Sequence, residues 1–120
     1  MAKKRLNKKV AFIGSAVFFV LMLAVIVVFL RLSRNPQKFI QDGDAAFLAG
    51  EYKDAERCYV KARNLAKEDS VRIEMLFKLA NVYIKTDRWD VVPAFLDKIV
   101  QIDPKNTKAR YELLKYYYTM

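Results

Sequence analysis

The sequence predicts an all-α protein in which one N-terminal transmembrane helix precedes a small domain of short helical hairpins. The first observation is that residues 10–30 form a run of 21 residues without a charge. The second is that the chain beyond this run places small and apolar residues three and four positions apart, which is the spacing of one helix face. The third is that this arrangement returns further along the chain. The length of 120 residues allows one small domain beside such a helix.

The positive charge is concentrated in the N-terminal part of the chain. The formal net charge is +9, yet residues 1–38 contain eight Lys or Arg and no acidic residue, whereas residues 39–120 contain 14 Lys or Arg and 13 Asp or Glu. A nucleic-acid-binding domain carries its positive charge as a patch on the folded surface. We therefore expect no nucleic-acid partner.

The composition also argues against catalysis and metal binding. The chain has no His, which is the commonest general base and metal ligand, and its single cysteine, Cys58, offers neither an intramolecular disulfide nor a CxxC pair. Asp42 and Asp44 are two positions apart on a predicted helix and so point to different faces. We expect no catalytic residue, no metal and no cofactor, and hence a protein that is not an enzyme.

Residues 10–30 are predicted to be a transmembrane signal-anchor helix. At about 1.5 Å per residue, VAFIGSAVFFVLMLAVIVVFL reaches roughly 30 Å, the thickness of the hydrocarbon core of a bilayer. A cleaved signal peptide has a shorter apolar region followed by small residues, but here Arg31-Leu32-Ser33-Arg34 follows directly. A buried helix of a soluble protein would need more surrounding protein than the remaining residues supply.

The flanking charges predict the orientation. Five positive charges precede the apolar run in residues 1–9, and three follow it in residues 31–38. The positive-inside rule then favours a basic cytoplasmic tail over residues 1–9 and a domain in the periplasm, beyond a bacterial inner membrane. The alternative is an organelle membrane with the domain in the cytosol.

Residues 31–38 are interpreted as a juxtamembrane linker, because Asn35-Pro36 ends or bends a helix. The domain then covers residues 39–120. FIQDGDAAFLAGEYKDAERCYVKARNLA is typical of two short helices joined by a turn around Gly50, and MLFKLANVYIKTDRWDVVPAFLDKIVQIDP repeats this layout with a turn near Asp87. We expect Pro93 to lie in the first turn of its helix, with Asp90 as the N-cap.

The two segments can be overlaid at a constant offset of 37 positions. This offset pairs Gly43 with Ala80, Tyr52 with Trp89, Ala55 with Val92, Tyr59 with Leu96 and Ala62 with Ile99. A third copy begins at KARYELLKYYYTM, where Leu79, Ala80 and Tyr83 return as Leu113, Leu114 and Tyr117 at an offset of 34.

This pattern resembles the tetratricopeptide repeat (TPR), a helix-turn-helix unit of 34 residues. The resemblance covers everything after residue 38. It is carried by Gly43, Gly50, Tyr52, Ala55, Tyr59 and Ala62 in the first unit and by Leu79, Ala80, Tyr83, Trp89 and Pro104 in the second. Val92 and Ile99 depart from it by replacing expected alanines, and three extra residues lie near positions 67–73.

The resemblance implies about two and a half units, at residues 36–69, 73–106 and 107–120, stacked as a right-handed α-solenoid. Small residues on the inward faces would let the helices approach closely, while large residues fill the gaps between them. The expected repeat-packing residues are Gly43, Ala55, Tyr59, Ala62, Leu79, Ala80, Tyr83 and Pro104.

The resemblance also implies a groove lined by the first helix of each hairpin. Its residues would be Ile40, Asp44, Phe47, Phe77, Asn81, Ile84, Tyr111, Lys115 and Tyr118. Most of these are large and apolar, which suits an extended or helical peptide with hydrophobic side chains. The alternative is that several of them only pack on a neighbouring unit or on the anchor.

The half unit predicts an apolar face at Leu113, Leu114 and Tyr117, because the helix that would cover these residues is missing from it. Further chain, a second copy or a different partner could cover this face, and all three alternatives stay open. We expect a membrane-tethered, non-enzymatic adaptor or assembly scaffold whose partners are the lipid bilayer and a protein or peptide. The alternatives are a permanent structural subunit of a larger membrane complex, or the N-terminal fragment of a longer TPR protein.

Overall fold

The computed structural model describes residues 7–119 and consists of α-helices joined by short turns. The chain divides into two compact units between Arg34 and Asn35. Residues 1–6 of the predicted basic tail lie outside the described residues. Met120, the last residue of the predicted half unit, lies outside them too.

The first unit contains helix α1, Lys8–Ser33. Asn7 is its N-cap, and the Asn7 side chain accepts a hydrogen bond from the Lys9 amide at 3.2 Å. The side chains of α1 that the structure describes are exposed, including its large apolar ones. Within residues 7–119, the structure contains one candidate membrane span, and it includes α1.

The second unit begins with α2, Pro36–Leu48, so that only Arg34 and Asn35 separate it from α1. The Asn35 side chain caps α2 by accepting a hydrogen bond from the Gln37 amide at 3.0 Å. Pro36 occupies the first helical position, where a backbone amide has no acceptor within the helix. Proline, which lacks this amide proton, therefore loses no hydrogen bond there. The segment 31–38 therefore contains the end of α1 and the start of α2.

Four further helices follow. They are α3 (Tyr52–Leu65), α4 (Asp69–Lys85), α5 (Val92–Ile102) and α6 (Thr107–Thr119), with a short 3₁₀ helix at Trp89–Val91 before α5. From α2 onward, each helix packs on the next one along the chain, and successive helices are antiparallel. The predicted all-α class and the helical hairpins are confirmed.

The turns of the two hairpins have the same hydrogen bonds. The Gly50 amide donates to the Phe47 carbonyl and the Glu51 amide to the Ala46 carbonyl. At positions 37 residues further along the chain, the Asp87 amide donates to the Ile84 carbonyl and the Arg88 amide to the Tyr83 carbonyl. Both sets form a Schellman motif, whose central residue needs a positive φ, and φ is 77° at Gly50 and 61° at Asp87.

The extra residues between the hairpins form an additional turn of helix. Helix α4 has 17 residues and α2 has 13. The two helices end at equivalent positions, because Leu48 and Lys85 are separated by the same 37 positions as the two turns. The four additional residues, 69–72, therefore lie at the start of α4.

The start of α5 differs from the prediction. Pro93 lies in the first turn, as expected, but the N-cap is Val91 and not Asp90. Asp90 belongs to the 3₁₀ helix, whose i to i+3 hydrogen bonds lead the chain into α5 without a side-chain cap.

The core of the hairpin unit depends on very close helix contacts. Ala55 and Ala62 are fully buried on α3, and Tyr59 between them is 2% exposed. A Cβ atom placed on Gly43 would come within 2.7 Å of Tyr59 Cε1 and 3.2 Å of Cys58 Cβ. The backbone of α2 therefore lies directly against the Tyr59 ring, at a distance that no other residue type permits.

We expect Gly43→Ala to destabilise the hairpin unit by about 1–3 kcal/mol, because the added methyl group must displace a buried ring. The gain in helix propensity from Ala is about 1 kcal/mol and offsets only part of this. The measurement is urea unfolding of the full chain in detergent micelles, followed by Trp89 fluorescence. Gln41→Ala, at an exposed position of the same helix, is the control, and a Gly43→Ala variant as stable as this control would contradict the packing described.

The two Schellman turns predict substitutions of opposite effect. Gly50→Ala should cost about 1 kcal/mol, because an L side chain disfavours positive φ, although no heavy atom lies within 4 Å of the added Cβ. Asp87→Gly should be neutral or stabilise by about 0.5 kcal/mol, since it relieves the same strain but gives the unfolded chain more freedom. The same unfolding measurement checks both, and equal losses in the two variants would show that positive φ is not the cause.

Candidate functional site

A cavity of about 290 Å³ lies between α2 and α4. It brings together three of the residues that the sequence places in a groove, Asp44, Phe47 and Asn81. Its other lining residues are Leu48, Tyr59 and Lys78. The cavity thus combines apolar side chains with a small number of polar groups, as ligand sites commonly do.

Asp44 is the centre of the polar side of this cavity. Its Oδ1 accepts hydrogen bonds from the Tyr59 hydroxyl at 2.6 Å and from Lys78 Nζ at 2.7 Å. Lys78 Nζ also lies 3.9 Å from Glu74 Oε1 and 5.6 Å from the centroid of the Tyr59 ring. One carboxylate therefore links α2 to both α3 and α4, and the positive charge of Lys78 is already compensated.

These contacts change the acidity of the groups involved. Partial burial raises the pKa of the Asp44 carboxyl, but the hydrogen bonds from Lys78 and Tyr59 and the charge of Lys78 together lower it below its ordinary value. Burial, followed by the hydrogen bond to Asp44, raises the pKa of the Tyr59 hydroxyl. The ionised carboxylate and the neutral phenol are thus the favoured forms near neutral pH.

The groups that remain available to a ligand are Asn81, Leu48 and the edge of Phe47. The Asn81 side chain is exposed and makes no hydrogen bond within residues 7–119. Leu48 is 87% exposed, and the half-buried Phe47 ring packs edge-on against Tyr52 at 5.5 Å. A free amide beside apolar surface can bind a peptide backbone while neighbouring apolar groups receive its side chains.

A second cavity of about 290 Å³ lies where the end of α4, α5 and α6 meet. Ile84 and Lys115 from the predicted groove line it, but most of its surface comes from residues outside that prediction. The other lining residues are Trp89, Val92, Leu96, Glu112, Tyr116 and Thr119.

The remaining predicted groove residues lie elsewhere. Ile40 is 6% exposed and belongs to the core, and Phe77 is half-buried beneath the Lys108 ammonium, 4.5 Å from its ring centroid. Tyr111 and Tyr118 are 65% and 86% exposed on α6. The structure therefore divides the nine residues between two cavities, the core and the open surface.

Seven of the eight expected repeat-packing residues are buried, namely Gly43, Ala55, Tyr59, Ala62, Leu79, Ala80 and Tyr83. Pro104 is exposed in the turn between α5 and α6. Tyr83 stacks on Phe95 at 5.1 Å and donates a hydrogen bond to Glu56, so it joins α4 to α3 and α5. Burial, and then this bond to Glu56, raises the pKa of the Tyr83 hydroxyl.

Helix α6 packs on α5 through one side only. Ala109 is fully buried and Leu113 is half-buried against the core, whereas Leu114 and Tyr117 are 57% and 63% exposed. Helix α4 contacts both α3 and α5, so its positions equivalent to Leu114 and Tyr117, Ala80 and Tyr83, are buried. Of the three residues expected on an open face, two are exposed and Leu113 is partly covered.

The sequence interpretation missed the role of Lys78. At the 37-residue offset Asp44 pairs with Asn81, and Lys78 lies three positions before Asn81, on the same face of α4. Opposite charges on corresponding faces of the two first helices were the available signal for the ion pair that joins them. Within residues 7–119, no group of three or more His, Cys, Asp or Glu side chains is placed to hold a metal ion.

Compared with known proteins, the sequence matches no protein-family model and no curated protein. The fold therefore defines the class of the protein: an all-α chain of packed helical hairpins preceded by one candidate membrane span.

We expect Asp44→Asn to lower stability by about 1 kcal/mol near neutral pH, a figure that allows for the partial exposure of the ion pair. Because the folded-state pKa of Asp44 is lowered, its contribution is complete above the unfolded value of 3.8 and is lost as the pH falls through the folded value. The difference between the wild type and the variant should therefore shrink below about pH 4.

Urea unfolding of the full chain in micelles between pH 3 and pH 7 measures this difference. Asp42→Asn makes the same change in charge at an exposed position of α2 and serves as the control. An Asp44→Asn difference that is constant over this pH range would contradict a stabilising role for the ionised Asp44 carboxylate.

Proposed function

We propose that the chain is a membrane-tethered protein of the tetratricopeptide type that binds a protein or peptide partner and has no catalytic activity of its own. In this proposal α1 is an uncleaved signal anchor in a bacterial inner membrane, with the N-terminus in the cytoplasm and the hairpin domain in the periplasm. The domain acts as an adaptor or assembly factor.

Several features support the assignment to this repeat type. The two hairpins share a 37-residue offset in their Schellman turns and in their buried positions. Gly43, Ala55 and Ala62 provide the close helix contacts that the repeat pattern implies. The extra helical turn at 69–72 accounts for an offset that is longer than the usual 34 residues.

The observation that carries the binding function is the cavity between α2 and α4. Within residues 7–119 its Asn81 side-chain amide makes no hydrogen bond, and it lies in the same cavity as the exposed Leu48. A peptide whose backbone is held by Asn81 could place an apolar side chain against Leu48 and Phe47. The cavity does not favour a free carboxylate, because Asp44 and Glu74 already surround the ammonium of Lys78.

The membrane anchor is supported by the length and exposure of α1. Its 26 residues exceed the length that a bilayer core requires, and its described apolar side chains have no protein covering. Insertion in lipid would give these side chains an apolar surrounding. Resistance to extraction at alkaline pH, with protease protection of the domain in sealed vesicles, would test the anchor and its orientation.

A second candidate function is favoured by α6, whose exposed Tyr111, Leu114, Tyr117 and Tyr118 form an unusually apolar surface for one short helix. In this alternative the chain is a permanent structural subunit whose contacts are made by α6 and the anchor, and the cavity between α2 and α4 is incidental.

We expect Leu48→Asp to weaken partner binding by about tenfold or more, since it places a charge where an apolar side chain would bury. Leu114→Asp is the matched variant on α6, and both leucines are exposed enough to be replaced without a folding defect. The measurement is photo-crosslinking from a reactive residue at Asn81 in native membranes, followed by the affinity of the crosslinked protein for each variant.

Three results separate the two functions. Loss with Leu48→Asp alone supports partner binding at the cavity between α2 and α4, whereas loss with Leu114→Asp alone supports the structural subunit. Equal crosslinking from Asn81 and from Lys53, an exposed position of α3, would show that the cavity between α2 and α4 does not select the partner.

A further inference from the structure

A cationic cleft of about 350 Å³ lies between the end of α3, the start of α4 and the end of α5. Arg63, Arg72 and Lys98 line it, together with Gln101, Leu76 and Ile102. None of these lining residues carries a negative charge. The three cations stand out because residues 39–120 as a whole carry only one more positive than negative charge.

Most of this positive charge is uncompensated. Arg72 forms an ion pair with Asp69 at 2.8 Å, but Arg63 forms none within residues 7–119. Within the described residues Lys98 forms no ion pair, and its Nζ lies 5.6 Å from the centroid of the Phe95 ring. Arg63 is also half-buried, so it has lost part of its hydration without gaining an ion-pair partner among the described residues. Such an arrangement favours an anionic ligand.

The chemistry of the cleft favours a phosphate joined to an apolar group. Two guanidinium groups and one ammonium can together donate to several phosphate oxygens, and guanidinium matches phosphate in a bidentate manner. The half-buried Ile102 adds apolar lining to the cleft, whereas Leu76 is buried in the core behind it. A phospholipid headgroup combines these two properties, because its phosphate lies next to its glycerol and acyl chains.

The position of the cleft in the topology supports a lipid source. Helices α2 and α3 are antiparallel, so the end of α3 lies at the same end of the hairpin unit as the start of α2. The start of α4 and the end of α5 are at this end too, by the same alternation. Only Arg34 and Asn35 separate the start of α2 from α1. The cleft is therefore at the end of the domain that the chain connects to the candidate membrane span.

We propose that this cleft binds the phosphate of an anionic phospholipid headgroup and so holds the hairpin domain on the surface of the bilayer that α1 enters. This inference rests on the membrane anchor in the proposed function. The additional turn at the start of α4 supplies Arg72, which gives that turn a role in binding.

The test is native mass spectrometry of the full chain in detergent micelles, titrated with phosphatidylglycerol or, as the neutral comparison, phosphatidylcholine. The test variant carries Arg63→Gln, Arg72→Gln and Lys98→Gln. The control variant carries Lys53→Gln, Arg57→Gln and Lys85→Gln, which removes the same charge from exposed sites and breaks one comparable ion pair, Arg57 with Asp54. Circular dichroism verifies that both variants remain folded.

We expect phosphatidylglycerol to bind the wild type and the control variant with the same affinity. Its affinity for the test variant should be lower by about tenfold or more. Equal binding by both variants would overturn the proposal, because it would assign the lipid to the basic flanks of α1. Two soluble probes, glycerol phosphate and an acidic decapeptide, distinguish other ligands. Tight binding of either one at the cleft, without lipid selectivity, would also overturn the proposal.

If the test variant does not fold, Arg63→Gln alone is measured against Lys53→Gln. Arg63 forms no ion pair with another residue of the described range 7–119, so its substitution breaks no such pair, and this comparison still tests the proposal. Alkaline extraction of the same variants separates this inference from the proposed function. A chain that stays in the membrane but shows no lipid selectivity contradicts the cleft alone, whereas a chain that is extracted contradicts the anchor.

Discussion

The contact between Gly43 and the Tyr59 ring is the constraint on which the hairpin domain depends. Because α2 and α3 touch through backbone and ring, the Tyr59 hydroxyl reaches Asp44, and Asp44 in turn reaches Lys78 on α4. A bulkier residue at position 43 would push the ring outward and separate these groups. The packing of one glycine thus determines both the spacing of the helices and the polar side of the cavity between α2 and α4.

The fold places different surfaces at different positions in the hairpin unit. The cavity with Asn81 lies on the first helices of the hairpins, whereas the cationic cleft is formed where α3, α4 and α5 meet at the end where α2 begins. Helix α6 presents a third surface, which is apolar. In the proposed functions, partner binding, membrane contact and assembly use separate residues, so each surface can be substituted by itself.

Much of the fold followed from the sequence because its signals are local. The charge-free run, the Asn35-Pro36 break and the turn at Gly50 each depend on neighbouring residues, and they appear in the structure as α1, the start of α2 and a Schellman turn. The overlay at 37 positions also located the second turn, although Asp87 occupies the place of a glycine. The N-cap at Asp90 was wrong because a 3₁₀ helix took the place of a side-chain cap.

The candidate sites were less predictable because they depend on which face each helix turns to its neighbours. Ile40 has the same apolar character as a groove residue, but contacts between α2 and the core bury it. The cleft of Arg63, Arg72 and Lys98 joins three helices, and no spacing within one helix reveals it. Its residues became neighbours only through the antiparallel packing of α3, α4 and α5.

The packing of each helix on its neighbour in sequence has a consequence for how the domain forms. Contacts between residues close in the chain need little loop closure, so folding of such an array is fast and can proceed hairpin by hairpin as the chain emerges. The first hairpin can close before α5 and α6 have been synthesised. The helices then pack in the order in which they are synthesised. An apolar face such as that of α4 is covered as soon as the next helix has formed.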